Sequence, residues 1–296
     1  MNNVYRDIKT VLTEGGIIEG EAKAITLMLM EKVCGMTTTE VLMNNPKGEA
    51  YRTELLAMSQ RIAQGEPVQY VLGEADFCGM SMKVQPGVLI PRKETEELVA
   101  WVVENVNDNI NPNLTPNSQR ILDIGTGSGC IAVALAKTLE GTEVEAWDVS
   151  DVALQTAKEN AERNGVKVET KKVDVLRDNR LRTTDYGVFD VIVSNPPYIC
   201  EEEKAEMERN VLEHEPSQAL FVPNNDPLLF YRRIGELGLS ILRGKGLLFF
   251  EINRRFGKEV VRRLQDLGYQ DVELHQDLFG NDRMVKAIKP QYNRYR

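Results

Sequence analysis

Four consecutive residues, Asn195-Pro196-Pro197-Tyr198, combine group types suited to handling a planar, neutral nitrogen. They follow Val191-Ile192-Val193-Ser194, a β-branched run that reads as a buried strand, and the two prolines stop that strand abruptly. The tetrad is therefore expected at a strand's C-terminal end, the end at which open α/β sheets bind ligands. Neither proline has an amide hydrogen to pair, which leaves the carbonyls of Asn195 and Pro196 to face a ligand. Asn195 Oδ1 adds a further acceptor and Tyr198 a flat apolar face. Such a corner suits an –NH2 group, with its two N–H donors and its π-face. The plainer alternative is a Pro-Pro turn that ends a strand and does nothing more.

A second constellation precedes it. Asp123-Ile124-Gly125-Thr126-Gly127-Ser128-Gly129 lies between a predicted strand and a predicted helix, the context a ligand-binding glycine turn needs. Its glycines let the backbone approach a ligand closely and bring the N–H groups of a helix N-terminus within reach. The next strand ends in Asp148, placed to accept ribose hydroxyls. That much fits a nicotinamide dinucleotide or S-adenosylmethionine. Asp123, inside its strand, can attract an ammonium group directly or through water. Asp174, in Val173-Asp174-Val175-Leu176 at the end of the third strand, can accept from an adenine amino group or, alternatively, cap a helix. These acids favour an adenosine-bearing cofactor, with S-adenosylmethionine ahead of NAD.

The elements that must position these residues are legible in the periodicity. Residues 1–72 are helical: Val4, Ile8, Val11 and Leu12 share one face, a second helix runs from Ala22 to Val33, Thr37-Thr38-Thr39 cap a short one, and a fourth spans Gly48 to Ala63. Residues 73–90 read as a β-hairpin linker. Residues 91–296 hold the rest, beginning with a helix from Glu96 to Val106 and a polar surface loop from Asn107 to Ser118. From Arg120 strands and helices alternate, with Asp226 expected to cap a helix that carries Pro227 in its first turn. Five strands with helical crossovers demand a mostly parallel, doubly wound α/β sheet of Rossmann-like type. The last two strands, near 271–275 and 283–288, are too close for a crossover and are expected as an antiparallel edge.

Composition narrows the function. The chain of 296 residues is 42% hydrophobic and 27% charged, with a net charge of −9 that argues against a nucleic-acid duplex as main partner. Only the last segment, from Arg283 to Arg296, is basic, and it reads as a solvated tail. Cys34, Cys78, Cys130 and Cys200 lie far apart and are expected as reduced thiols. With His214 and His275 the only histidines, a metal site or a Ser-His-Asp triad is poorly supplied. The N-terminus has no signal-peptide pattern, and no apolar run of about 18 residues exists to span a bilayer, so the expected location is cytoplasmic.

Taken together, the chain resembles the bacterial peptide chain release factor N5-glutamine methyltransferases over nearly its whole length. The likeness rests on the glycine turn, the Asn195 tetrad, Leu89-Ile90-Pro91-Arg92 with Thr95-Glu96, Gly73-Glu74-Ala75-Asp76-Phe77, Glu215-Pro216 with Ala219-Leu220, and Gly280-Asn281-Asp282-Arg283. The tetrad alone is shared with adenine-N6 and guanine-N2 nucleic-acid methyltransferases. One departure is visible, Glu251-Ile252-Asn253 where the family often has Glu-Ile-Gly, with an altered turn as the expected consequence.

The resemblance implies a class I methyltransferase sheet behind a helical substrate-recognition domain. It implies methyl transfer from S-adenosylmethionine to the glutamine of the Gly-Gly-Gln motif of class I release factors. Asp123, Gly125, Thr126, Gly127, Ser128, Gly129, Asp148, Asp174, Val175 and Asn195 would then hold the cofactor. Arg92 and Thr95 would close over its methionine end or serve as hinge packing. Asn195, Pro196, Pro197 and Tyr198 would hold the substrate, with Asn195, Pro196 and Tyr198 catalytic. The alternatives are another planar nitrogen (a ribosomal-protein glutamine or a base amine), a NAD-dependent oxidoreductase, or a non-catalytic cofactor-binding module.

Overall fold

A computed structural model of the chain describes residues 3–43, 45–107, 119–178 and 187–291. Residues 108–118 of the predicted polar loop, and Arg294 and Arg296 of the basic tail, lie outside the described residues. The chain divides into two compact units: Met1–Glu74 with Met207–His214, and Ala75–Glu206 with Glu215–Arg296.

The first unit contains α1 (Asn3–Glu14), α2 (Glu19–Cys34), α3 (Thr38–Leu42), a 3₁₀ turn (Pro46–Tyr51), α4 (Arg52–Ala63) and α5 (Val68–Leu72). Val4, Ile8 and Leu12, spaced to fall on one face of α1, are buried with Leu29, Met30, Leu55 and Ile62. Thr37 caps α3 through a capping box with Glu40. The helix expected from Gly48 starts at Arg52 instead. Asn45 caps the 3₁₀ turn ahead of it, and Pro46 occupies that turn's first position. The helix α5 is too short, and too rich in β-branched and aromatic residues, to have shown a helical period.

The second unit opens with a hairpin, β1 (Glu74–Phe77) and β2 (Met80–Lys83). The expectation that this hairpin is a linker needs correcting. Phe77 and Met82 are fully buried in the main core, and Asn160 exchanges hydrogen bonds with both backbone groups of Lys83. It belongs to the sheet domain because its apolar face is spent there.

Next come α6 (Lys93–Asn107), β3 (Arg120–Ile124), α7 (Cys130–Thr138), β4 (Glu143–Asp148), α8 (Asp151–Arg163), β5 (Val168–Lys172) and β6 (Phe189–Ser194). They are followed by β7 (Ile199–Cys200), α9 (Arg209–His214, part of the first unit), α10 (Ser217–Leu220) and β8 (Phe221–Val222). The chain ends with α11 (Leu229–Ile241), β9 (Leu242–Glu251), α12 (Gly257–Asp266), β10 (Gln270–Gln276) and β11 (Asp282–Ile288). Two helix starts differ from expectation. The helix α6 begins at Lys93 rather than Glu96. Asp226 does not cap α11, because both of its carboxylate oxygens are taken by the Arg232 guanidinium at 3.0 and 2.7 Å.

The main sheet has seven strands in the order β10-β11-β9-β6-β3-β4-β5. The five strands predicted to be parallel are so, and β11 and β10 form the antiparallel edge. Alternate residues of the central strands serve opposite faces. Ile121, Val191, Val193 and Phe249 pack with α6 and α7, whereas Leu122, Ile192, Leu248 and Phe250 pack with α11 and α12. Both faces are covered, which is why these strands read as continuous apolar runs.

Candidate active site

From β3 the chain builds β4 and β5 on one side, then crosses to β6 on the other. The switch point of the sheet therefore falls between β3 and β6, which pair with Ile124 opposite Ser194. Past these positions β3 runs into the glycine turn and β6 into Asn195. A cavity of about 370 Å³ opens there. It is lined by Gly125, Thr126, Gly127 and Ser128 after β3, Asp148 after β4, and Asp174 and Val175 after β5. Asn195, Pro196 and Pro197 after β6, and Arg92 and Thr95 near the start of α6, complete the predicted residues it takes in. Asp123, Gly129 and Tyr198 do not line it.

The glycine turn is built differently from a phosphate cradle. Gly125 and Thr126 both donate their amides to Trp147 O, at 2.8 and 3.0 Å, and Gly129 donates to Thr126 O at 2.8 Å. Gly127 donates to Asp148 Oδ2 at 3.0 Å. The amides of Gly125, Thr126, Gly127 and Gly129 are therefore consumed within the protein, and the expectation of reachable N–H groups concerns the start of α7 at Cys130 instead. An oligophosphate would find few donors here. Gly125 and Gly127 have φ of +73° and +55° with open space where a Cβ would stand. At Gly129 a Cβ would lie 2.7 Å from that of Ala157, so this glycine serves the close approach of α7 and α8.

The acids have distinct surroundings. Asp123 is fully buried, and burial pushes its carboxyl up to about 7, against the opposing hydrogen bond from the Thr126 hydroxyl to Oδ2 at 2.6 Å and the pull of the Ala132 backbone amide. Its Oδ1 is buried with no hydrogen-bond partner among the described residues. An orphaned carboxylate oxygen behind the turn is what a nearby cation or bound water would satisfy. Asp148 braces two turns, accepting from Gly127 at Oδ2 and from Ser150 at Oδ1, 2.9 Å. Asp174 Oδ1 accepts from the amides of Leu176 and Arg177 at 3.0 and 3.1 Å. The cap-like role is thus present in the turn after β5, and Oδ2, not engaged by those amides, lies 3.8 Å from Arg177 Nε.

The tetrad is held by residues that its own sequence does not contain. Asn195 Nδ2 donates to Thr95 Oγ1 at 3.1 Å, and the Thr95 hydroxyl donates to Glu251 Oε2 at 2.6 Å. Tyr198, expected to present its flat face to the substrate, does not line the cavity. Its ring leans on the α11 side of the core and its hydroxyl donates to Glu251 Oε1 at 3.1 Å. Burial, the Glu251 charge and that hydrogen bond all hold the Tyr198 phenol well above its ordinary value. Asn253 donates from Nδ2 to Tyr198 O at 3.1 Å and to Glu203 Oε1 at 2.9 Å. The residue that departs from the family pattern thus pins the tetrad's end without a left-handed backbone.

Arg92 reaches the buried Glu215 at 2.5 Å, and Glu215 Oε2 also accepts from the Ile90 amide at 3.2 Å. Glu215 therefore straps the Ile90-Pro91-Arg92 segment onto the cavity rim. Sequence reasoning assigned no role to Glu251, Glu215 or Asn160. The signal for Glu251 was available, since it is an acid closing an apolar strand, Leu247-Leu248-Phe249-Phe250-Glu251, as Asp148 closes β4.

Comparisons with known proteins agree with this architecture. A model of the methyltransferase small domain matches residues 102–219, and one of the PrmC N-terminal domain matches residues 3–73. The chain is 43% identical over 269 residues to the release factor glutamine methyltransferase of Bacteroides thetaiotaomicron, covering 90% of this chain and 92% of that one. It is 44% identical over 260 residues to the protein of that name from Flavobacterium psychrophilum, covering 87% and 86%. Among solved structures, the human methyltransferase 10 domain containing protein superposes with a TM-score of 0.50 at 21% identity, over 72% of this chain and 90% of that one. That likeness speaks to the fold alone.

Proposed function

The chain belongs to the release factor glutamine methyltransferase family, and from that premise we propose that it methylates the N5 side-chain nitrogen of the glutamine in the Gly-Gly-Gln motif of class I release factors. The observation that carries this reading is one cavity joining the glycine turn and Asn195 at the switch point, with the Asn195 –NH2 already committed to Thr95. The cofactor is S-adenosylmethionine. The turn fits it better than a dinucleotide, because the amides of Gly125, Thr126, Gly127 and Gly129 are spent internally while Asp123 Oδ1, buried behind the turn, has no hydrogen-bond partner among the described residues. When bound, S-adenosylmethionine would supply an electrophilic methyl group, its S–CH3 bond breaking to leave the neutral thioether S-adenosylhomocysteine. Asp148 would hold the ribose hydroxyls, Asp174 Oδ2 and Val175 the adenine, and the field of Asp123 the ammonium end.

An amide nitrogen is a poor nucleophile because its lone pair is delocalised into its carbonyl. Asn195 Oδ1 and the Pro196 carbonyl accept from the two N–H groups of the substrate amide, shift electron density onto nitrogen and aim it. Nitrogen gains the methyl group and then sheds a proton. A protonated amide is acidic enough to release that proton to water, so no dedicated base is needed, and Glu251 stays engaged with Thr95 and Tyr198. The helical unit is the part that grips the release factor away from its methylated loop, and the cytoplasm is where the two meet.

The test is transfer of labelled methyl from S-adenosylmethionine to purified release factor, ribosomal protein and duplex DNA in parallel. Label on release factor supports the reading, and label only on another acceptor would replace the substrate.

A further inference from the structure

We infer that Glu251 is a positioning residue that fixes, through the Thr95 hydroxyl, which end of the Asn195 side-chain amide meets the substrate; the inference rests on the proposed role of Asn195. The two ends of an asparagine amide have nearly the same shape and opposite hydrogen-bonding character. Only Oδ1 attracts a substrate N–H, so an amide rotated by half a turn would present donors to donors. The structure contains a device that decides between the two. Thr95 has a single hydroxyl hydrogen, and it is spent on Glu251 Oε2 at 2.6 Å. Toward Asn195 its oxygen can therefore only accept, which draws Nδ2 to it at 3.1 Å and turns Oδ1 away.

Remove the carboxylate and the Thr95 hydroxyl is free to donate to Oδ1, which reverses the amide. The parts are placed for this task. Thr95 is 2% and Glu251 1% exposed, so water does not compete for either group. Glu251 ends β9, directly beside β6, whose Ser194 pairs with Phe250. Its other oxygen accepts from Tyr198, so one carboxylate is keyed to both polar side chains of the tetrad. Burial raises the Glu251 carboxyl and the two hydroxyl donors oppose that shift.

The test compares Thr95→Val, which keeps the shape and loses the hydroxyl, in two backgrounds. With Asn195 present, Thr95→Val should lower kcat roughly 10–100-fold, less than removing the aimed group itself, while cofactor affinity holds. Thr95→Ser should restore the rate. In the Asn195→Asp background, where both side-chain oxygens accept and no orientation is needed, Thr95→Val should cost little further. Glu251→Leu should behave as Thr95→Val and add little to it. Glu251→Gln, able to offer Oε1 to Thr95 and Nε2 to the Tyr198 oxygen, should retain most activity.

A second readout does not need turnover. The Asn195 side-chain –NH2 signal, identified by its loss in Asn195→Asp, should be protected from solvent exchange in the parent and in Thr95→Ser, and unprotected in Thr95→Val and Glu251→Leu. An unchanged protection pattern, or an equal loss of kcat in both backgrounds, would overturn the inference. A parent protein that ignores release factor yet methylates another acceptor would overturn only the substrate, and the exchange readout would still decide the role of Glu251.

Discussion

Gly127 donates its amide hydrogen to Asp148 Oδ2 at 3.0 Å, which makes the turn after β3 and the acid ending β4 a single braced unit. Asp148 therefore shapes the cavity as well as facing it. In the proposed mode it carries the ribose hydroxyls on the same two oxygens that hold Gly127 and Ser150. Asp148→Ala should weaken S-adenosylmethionine binding tenfold or more, about 1.4 kcal/mol. Calorimetric affinity equal to that of the parent would remove the ribose assignment.

The Asp123 carboxyl, raised by burial to about 7, gives a pH dependence with a definite sign. Between its unfolded value near 3.8 and about 7 the folded protein holds the proton more tightly than the unfolded chain. Its contribution to ligand-free stability is thus full below the lower value and is lost as pH rises through about 7. Asp148, the charged neighbour, pushes the same way. A cationic ligand prefers the ionised form, so affinity for S-adenosylmethionine should rise across that same upper range. Asp123→Asn should flatten both profiles. A parent whose melting temperature and cofactor affinity ignore pH from about 5 to 8 would contradict the account.

Asn195→Ala removes the acceptor that aims the substrate nitrogen. It should lower kcat by roughly 10²–10³, by analogy with the loss of one oxyanion-hole donor, and leave cofactor affinity nearly unchanged. Single-turnover kinetics alongside calorimetry separates the two. A fall in affinity with an unaltered rate would make Asn195 a cofactor ligand instead.

Recognition by the helical unit is open to a surface test. Deleting residues 1–72 is a poor one, since Met207–His214 belongs to the same unit and would be left without it. Ile18 and Met43 are 72% and 77% exposed on that unit and offer apolar contact. Ile18→Asp with Met43→Asp should raise KM for whole release factor roughly tenfold, the scale of one lost apolar anchor. The same pair should leave KM unaltered for a short peptide carrying the Gly-Gly-Gln loop. Equal KM values on whole release factor would make the helical unit a scaffold.

Much of this was readable from the chain because the sheet is buried on both faces. Continuous runs such as Val191–Ser194 and Leu247–Phe250 announce strands, and the acids and glycines that interrupt or end such runs mark the ligand-facing rim. What could not be read were partnerships between residues distant in sequence. Thr95 meets Asn195 and Glu251, and Arg92 meets Glu215, only because α6 and the segment before α10 fold back to the switch point. Periodicity carries no trace of such pairs. The hairpin resembles a linker in sequence for the same reason, since Asn160, which ties it to α8, is an ordinary helix residue until the fold is known. The turn amides offer the converse lesson. The glycine pattern marks the turn but not its internal bonding, in which the Trp147 carbonyl and Asp148 take the amides of Gly125, Thr126 and Gly127.

The most direct test of the central claim is to map the methylated atom. Release factor is incubated with the protein and S-adenosylmethionine, digested, and sequenced by tandem mass spectrometry, beside a release factor whose Gly-Gly-Gln glutamine is replaced by alanine. The account predicts a single methyl group on that glutamine's side chain and none on the replaced protein. Methylation that persists after the replacement, or that maps to another residue, would contradict it.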